Sequence, residues 1–182
     1  MVILGIDPGT TIMGYGVIRV ERNQPRLLVI GTLDQRKSCD HYEKIARIFD
    51  RTIQLIEEYK PLAMAIESPF YGNNVQSMLK LGRAQGAAIS AALHLKVPVF
   101  EYAPRKIKQS ITGHGESSKE QIANLLQMIL KIELKPDSWD ATDGLAAAMC
   151  HYYQLCNPVK AAGGSTGKWE DFIKKNPGRV IE

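Results

Sequence analysis

Cysteine is scarce in this chain of 182 residues, which has three, an odd number without metal-ligand spacing. A disulfide framework is therefore not expected, and a reducing compartment such as the cytoplasm is. Long apolar runs are also missing, since none approaches the ~18–20 residues that span a bilayer. The first residues carry no basic segment ahead of an apolar one, as a signal peptide would. We expect a cytoplasmic protein with no membrane association.

Neither sign of charge dominates the sequence. There are 23 lysines and arginines against 19 aspartates and glutamates, a net charge of +4. A mildly basic chain permits a nucleic-acid partner without requiring one. Hydrophobic residues make up 45% of the chain, which is typical of a folded domain and excludes a disordered chain.

Apolar runs and turn residues predict the element order βββαβαβαα. Strands are expected over residues 2–6, 14–20, 27–33, 62–66 and 97–101, and helices over about 40–59, 75–95, 117–132 and 136–155. Three early strands followed by alternating strands and helices indicate an α/β fold, with a mixed sheet covered by helices.

Three local patterns add to this prediction. Residues 117–120, Ser-Ser-Lys-Glu, are typical of a capping box in which the serine and the glutamate satisfy each other's free amides. Small residues in the second helix predict a seam that another helix or sheet can approach closely; they are Gly82, Gly86, Ala87, Ser90 and Ala91. The composition shifts near the end, so we expect a folded domain over residues 1–157 and a flexible tail over 158–182.

Four acidic residues carry the candidate chemistry. Asp7 and Glu67 end two buried strands, where ligands bind in sheets of this kind. Asp140 and Asp143 lie three apart in the first turns of a helix and share one side of it. Asp7 is alternatively a turn residue and Asp140 a partner of the helix dipole. Together the four carboxylates predict a site for one or two hard divalent cations such as Mg²⁺.

Several sequence blocks, taken together and in order from residue 2 to about 155, resemble the RuvC family of Holliday-junction resolvases. They are Gly5-Ile6-Asp7-Pro8-Gly9-Thr10 with Gly14-Tyr15-Gly16, Ile66-Glu67 with Phe70, Leu79-Lys80-Leu81-Gly82, Tyr102-Ala103-Pro104-Arg105-Lys106-Ile107-Lys108, Gly113-His114-Gly115 with Lys119, and Asp140-Ala141-Thr142-Asp143-Gly144-Leu145-Ala146.

This resemblance implies an RNase H-like fold with a mixed five-stranded sheet and helices on both faces. It implies a homodimeric enzyme of recombination and repair that nicks four-way DNA junctions symmetrically, leaving 5′-phosphate and 3′-hydroxyl ends. The family's metal-binding and catalytic acids fall on Asp7, Glu67, Asp140 and Asp143. The implied cofactor is Mg²⁺, one or two ions per subunit, with Mn²⁺ as a substitute.

The resemblance also implies contacts with DNA and with other proteins. Lys108 and Lys119 match lysines near the scissile phosphate, and Arg105 adds to the basic residues around the same glycine-rich loop. Phe70 matches an aromatic residue that the family places against junction bases. RuvA and RuvB, the junction-binding and branch-migration proteins, are implied as partners by the resemblance alone.

Other interpretations remain open at this stage. The segment Asp7-Pro8-Gly9-Thr10-Thr11 also resembles the first phosphate loop of actin and sugar-kinase phosphotransferases, which use two such domains and about twice this length. The RuvX-like branch of the same fold is shorter and has a different pattern of acids. A non-catalytic junction-binding module would leave the four acids unexplained, because carboxylates repel phosphate.

Two positions depart from the family pattern. The chain has Gly82-Arg83-Ala84-Gln85-Gly86 where the family commonly has Gly-Gln-Ala-Arg-Gly, so the guanidinium lies on another side of the helix. His114 occupies a position that is often apolar in the family. We assign neither residue a role from the sequence.

Overall fold

A computed structural model describes residues 1–37, 40–69, 74–133 and 139–156 of the chain. Its five strands are β1 (Val2–Asp7), β2 (Ile12–Glu21), β3 (Gln24–Asp34), β4 (Ala63–Glu67) and β5 (Val99–Tyr102). They form one sheet in the order β3-β2-β1-β4-β5. The pairs β1–β2 and β2–β3 are antiparallel, whereas β1–β4 and β4–β5 are parallel. The predicted mixed five-stranded sheet is confirmed.

Five helices cover the two faces of this sheet within the described residues. They are α1 (His41–Tyr59), α2 (Val75–His94), α3 (Pro104–Thr112), α4 (Lys119–Leu130) and α5 (Trp139–Cys156). One hydrophobic cluster joins α1 and α2 to the sheet, and a second joins α3, α4 and α5 to its other face. In the part of the chain that the structure describes, no helix has the length and apolar character needed to cross a membrane.

The central strand β1 belongs to both clusters because successive side chains of a strand point to opposite faces. Leu4 and Ile6 are fully buried in the cluster with α1 and α2, and Ile3 is fully buried in the cluster with α5. The same alternation places Gly5 and Asp7 on the α5 face of the sheet. The strand that carries the first candidate acid is therefore fixed by packing on both sides.

Helix α3 was missed by the sequence analysis, which assigned residues 104–112 to no helix or strand. Pro104 stands in its first turn, and Gly113, with a φ of 82°, adopts the left-handed conformation at its end. Proline at a helix start and glycine just past its end are a recognised sequence signal, and it was present here.

The capping box of α4 lies one residue later than expected. Ser118 is the N-cap: its side chain accepts a hydrogen bond from the Gln121 amide, and the Gln121 side chain accepts one from the Ser118 amide. The predicted pairing of Ser117 with Glu120 was wrong. Ser117 is buried and bonds instead to Thr112.

The predicted small-residue seam of α2 is divided between two sides of the helix. Ala87 and Ala91 are buried toward the sheet. A β-carbon added to Gly82 or Gly86 would meet nothing within 4 Å. Half of the seam therefore supports the fold of this chain, and the other half is left open.

Candidate active site

Parallel pairing of β1 with β4 brings the first two candidate acids together. Ile6 pairs with Ile66 in the register of the two strands. Asp7 and Glu67 are the next residues of each strand, at the same edge of the sheet. Because they share a register position, their side chains point to the same face, which is the face covered by α5. The strand-end placement predicted for both acids is confirmed.

Helix α5 brings the other two acids to this edge by approaching the sheet unusually closely. A β-carbon added to Gly144 would lie 2.6 Å from the carbonyl oxygen of Gly14, and one added to Gly16 would lie 2.6 Å from the α-carbon of Leu145. Gly14 is the register partner of Asp7. The glycines thus remove the side chains that would separate Asp143 from Asp7. The sequence analysis quoted these glycines only as family motifs and missed this packing role.

These residues surround one cleft of about 310 Å³. It is lined by Asp7, Glu67, Pro104, Ile107, Lys108, Lys119, Ile122, Asp143 and Ala146. The lining comes from the ends of β1 and β4, from α3, from the first turn of α4 and from α5. Three of the four predicted acids and two of the predicted basic residues therefore line the same cleft, while Asp140 lies at its border through Lys119.

Burial and mutual repulsion oppose ionisation of the strand-end acids. Burial raises the pKa of Asp7 to about 6, with a further upward contribution from the charge of Asp143. Burial raises the pKa of Glu67 to about 8, and the charges of Asp7 and Asp143 add to the rise. Both carboxyls therefore lack sufficient positive charge around them in the protein alone.

Lys119 supplies part of that positive charge to the acids of α5. Its Nζ lies 2.6 Å from Oδ2 of Asp143 and 3.5 Å from Oδ1 of Asp140. Burial raises the pKa of Asp143, and the hydrogen bond from Lys119 opposes the rise. Burial would lower the pKa of the Lys119 ammonium, but the hydrogen bond to Asp143 and the surrounding acids raise it overall. Lys119 is therefore charged at neutral pH.

The carboxylates do not form a ready-made metal cage. Among the described residues, no three aspartate, glutamate, histidine or cysteine side chains lie close enough together to hold an ion as they stand. Carboxylates that share one cleft repel one another, and here the Lys119 ammonium lies against two of them. The donor set itself consists of carboxylate oxygens, which are the ligands that Mg²⁺ and Mn²⁺ prefer. The chemistry of the residues fits a divalent metal ion.

Comparison with known proteins decides the family. The model of the family described as crossover junction endodeoxyribonuclease RuvC matches residues 3–151. This chain belongs to the RuvC family. Nucleases of this family depend on divalent metal ions.

Individual relatives match nearly the whole chain. The crossover junction endodeoxyribonuclease RuvC of Bacteroides fragilis is 56% identical over 98% of this chain and 95% of its own length. The protein of the same name from Porphyromonas gingivalis is 53% identical over 98% of this chain and 96% of its own length. The match includes the blocks on which the family resemblance was based, so that prediction is confirmed.

A solved structure supports the fold assignment. The structure of Thermus thermophilus RuvC in complex with a Holliday junction substrate is 31% identical, with a TM-score of 0.77, and the match covers 86% of this chain and 96% of that one. The RNase H-like fold predicted from the resemblance is confirmed. These comparisons favour a Holliday-junction resolvase over a phosphotransferase or a non-catalytic junction-binding module.

The other two residues predicted to contact DNA are Arg105 and Phe70. Arg105 is exposed and does not line the cleft. Its side chain packs on the backbone of Gly115, where an added β-carbon would lie 2.9 Å from Nε of Arg105. Phe70 lies outside the described residues, as do the start of the last predicted helix at residues 136–138 and the tail at 158–182.

Arg83 and Gln85, which stand on α2 where the family commonly has glutamine and arginine, lie in different surroundings. Gln85 is buried and donates a hydrogen bond to Oε2 of Glu101, 3.0 Å away, which ties α2 to the edge strand β5. Arg83 is exposed. The family's arginine position therefore holds an uncharged Gln85 that links α2 to β5, and the arginine of this chain, Arg83, is at the surface.

Proposed function

We propose that this chain resolves four-way DNA junctions by hydrolysing one phosphodiester bond in each of two strands, with Mg²⁺ as its cofactor. The observation that carries the proposal is the cleft in which Asp7, Glu67 and Asp143 face Lys108 and Lys119. Carboxylates suit a metal ion and lysines suit a phosphate, and this cleft has both. The complex of Thermus thermophilus RuvC with a Holliday junction supports the junction as the substrate.

The metal ligands in this proposal are Asp7, Glu67, Asp140 and Asp143. One or two Mg²⁺ ions held by these residues would supply Lewis-acid chemistry, which would activate an attacking water and stabilise the oxygen that leaves the phosphorus. Asp7 lies beside Glu67 on the sheet and faces the helix that carries Asp143, so it is our candidate for a ligand shared by two ions. Mn²⁺ has the same preference for oxygen ligands and is expected to substitute for Mg²⁺.

The raised pKa values of the strand-end acids support a site completed by metal and DNA. Asp7, with a pKa of about 6, and Glu67, with a pKa of about 8, bind a cation only in their deprotonated forms. At neutral pH, Glu67 must therefore lose a proton as the metal arrives. Binding at this site should release protons and should strengthen as the pH rises toward 8.

Lys108 and Lys119 are proposed to contact the backbone phosphates next to the scissile bond. Lys108 lies on α3 and Lys119 at the start of α4, and both line the cleft. Phosphate contacts position DNA and supply much of the affinity without reading its sequence. We propose that Arg105 extends this basic edge and that Phe70 stacks on unpaired junction bases.

The active form is proposed to be a homodimer built through the open side of α2. Leu79 and Leu93 are 53% and 58% exposed on that helix, and Gly82 and Gly86 between them have free space beside them. Small and apolar residues at these spacings allow close packing of two helices. A two-fold dimer would present two clefts to the two strands of a junction.

The wider setting of the protein follows from the family. RuvA and RuvB are proposed as its partners in branch migration, and the cytoplasm as its location.

We propose that residues 1–157 form the nuclease domain and that the tail, 158–182, is dispensable. A chain ending at Pro158 should cut junctions at the wild-type rate, and a large loss of cleavage would contradict that division.

The proposed activity is tested by incubating the full chain with a synthetic four-way junction and with a linear duplex of the same sequence. Symmetrical nicks in the junction that require Mg²⁺, with the duplex left intact, are the expected result. Equal cutting of both substrates would reject junction selectivity. In a parallel reaction with ATP, nucleotide hydrolysis by a chain that does not nick the junction would favour the phosphotransferase.

A further inference from the structure

The first residue of α4 carries a charge that the helix itself disfavours. Lys119 is the first helical residue after the N-cap Ser118, where the helix dipole favours acidic side chains. The complete capping box formed by Ser118 and Gln121 fixes the backbone at this point. The position of the ammonium is therefore not explained by the stability of α4, and its contacts on α5 must be considered.

Those contacts join Lys119 to two of the acids proposed as metal ligands. Nζ of Lys119 lies 2.6 Å from Oδ2 of Asp143 and 3.5 Å from Oδ1 of Asp140. The Asp143 side chain is only 16% exposed, whereas that of Lys119 is 52% exposed. The acid is thus fixed inside the cleft, and the flexible lysine reaches it from the solvent side.

We propose that Lys119 is an internal counter-cation of the metal-free protein, and that its ammonium leaves Asp143 when a divalent ion binds there. This inference rests on the proposed function in one respect, since it takes Asp143 as a metal ligand. The charge-assisted hydrogen bond to Asp143 competes with the metal for the same oxygen. Once released, the half-exposed ammonium is free to reach a DNA phosphate. One residue would then couple arrival of the metal to contact with the substrate.

The second lysine of the cleft provides a matched control. Lys108 lines the same cavity, and its charge acts on Glu67 and Asp143. Within the described part of the chain, no ion pair joins Lys108 to a carboxylate. Removing Lys108 changes the general electrostatics of the cleft but leaves the ligands of the proposed metal as accessible as before.

Metal affinity without DNA tests the proposal directly. Mn²⁺ is titrated calorimetrically into the full chain and into Lys119→Met, Lys108→Met and Lys119→Arg at pH 8. Lys119→Met should bind Mn²⁺ roughly tenfold more tightly, because no hydrogen bond has to be broken. Lys108→Met should tighten binding by less than about threefold. Lys119→Arg keeps the charge and a donor, so its affinity should return close to that of the wild type.

A second readout follows the ammonium itself. Its ¹H–¹⁵N signal, assigned by its loss in Lys119→Met, should shift when Ca²⁺ saturates the wild-type protein. A signal unchanged by Ca²⁺, weaker Mn²⁺ binding by Lys119→Met, or equal tightening by the two Met variants would overturn the proposal. Neither experiment uses cleavage, so a protein that cuts no junction but behaves this way would lose the proposed function and keep the inference.

Discussion

Gly144 lies against Gly14 with no room for a side chain between them: a β-carbon on Gly144 would be 2.6 Å from the carbonyl oxygen of Gly14. Gly144 follows Asp143 on α5, and Gly14 is the register partner of Asp7 on β1. This contact sets how closely an acid of the helix approaches an acid of the sheet. The geometry of the cleft therefore depends on a pair of glycines that carry no chemistry.

Replacement of Gly144 by alanine should separate α5 from the sheet. In an ordinary helix interior Gly→Ala is stabilising, but here the added carbon overlaps backbone atoms and should cost about 1–3 kcal/mol of unfolding free energy. Cleavage should fall as well, because Asp143 moves relative to Asp7. Urea unfolding and a junction-cleavage assay measure the two effects.

Gly82→Ala is the matched control for this substitution, since it is also a glycine inside a helix but has free space around it in the single chain. Gly82 also belongs to the proposed dimer face, so both variants are compared at a concentration low enough to keep the protein monomeric. It should raise the free energy of unfolding by roughly 0.5–1 kcal/mol. If Gly144→Ala raised the free energy of unfolding to the same extent, the close contact of α5 with the sheet would be contradicted.

The metal-free protein should lose stability as the pH rises from about 4 to about 8. The folded-state pKa values of Asp7, about 6, and Glu67, about 8, lie above the ordinary values of 3.8 and 4.5. Protonated carboxyls therefore favour the folded state, and this contribution is lost as the pH passes each folded-state pKa. Thermal unfolding in EDTA across this range measures the effect.

Asp7→Asn and Glu67→Gln should each flatten that pH profile and raise the melting temperature at pH 8, by roughly 2–4 °C for each kcal/mol of repulsion removed. Asp50→Asn, on the exposed side of α1, is the control for removing a carboxylate outside the cleft. A wild-type profile that rises toward pH 8 in EDTA would show that the acids of the cleft are already neutralised in the metal-free protein.

Much of the fold and part of the site were predictable from local sequence. The two strand-end acids follow from apolar runs of five residues that stop at a carboxylate, and such runs are visible without knowing their neighbours. The contact of Gly144 with Gly14 and the ion pair of Lys119 with Asp143 join residues far apart in sequence. Neither follows from a local pattern, because each depends on which helix packs on the central strands.

The missed helix α3 has a different origin. It is short and rich in basic residues, and its only local helix signals are the proline at its start and the glycine after its end. Both Lys108 and Arg105 lie on this helix, but only Lys108 lines the cleft. The sequence identifies the basic residues, but it does not show which of them faces the cleft, because that depends on how α3 packs.

Gly86→Leu should disrupt the proposed dimer without disrupting the fold. A β-carbon at this position meets nothing within 4 Å in the single chain, so we expect a leucine to fit the fold but to block close approach of a second α2. Light scattering at micromolar concentration should change from dimer to monomer, and junction affinity should fall. Gln54→Leu, an exposed change on α1, should remain dimeric. A monomeric wild-type protein on junction DNA would reject the dimer.

Phe70→Ala should reduce cleavage more than binding. Stacking on an unpaired base stabilises by about 1–3 kcal/mol, which corresponds to roughly 5–150-fold in rate if it positions the opened strand for attack. Phosphate contacts supply most of the affinity and should be unaffected. Turnover is compared at a saturating junction concentration, where equal rates for mutant and wild type would exclude a role for the ring.

The central claim is that Asp7 acts on metal and chemistry rather than on holding DNA, and Asp7→Asn tests it most directly. The substitution keeps the shape of the side chain and removes one negative charge from the cleft, while Lys108 and Lys119 remain to bind phosphate. Junction binding is measured in Ca²⁺ and cleavage in Mg²⁺ on one preparation. We expect binding that holds or tightens and cleavage reduced by orders of magnitude. Asparagine is also a good turn residue, so a purely structural Asp7 predicts retained activity, and robust cleavage by Asp7→Asn would contradict the account.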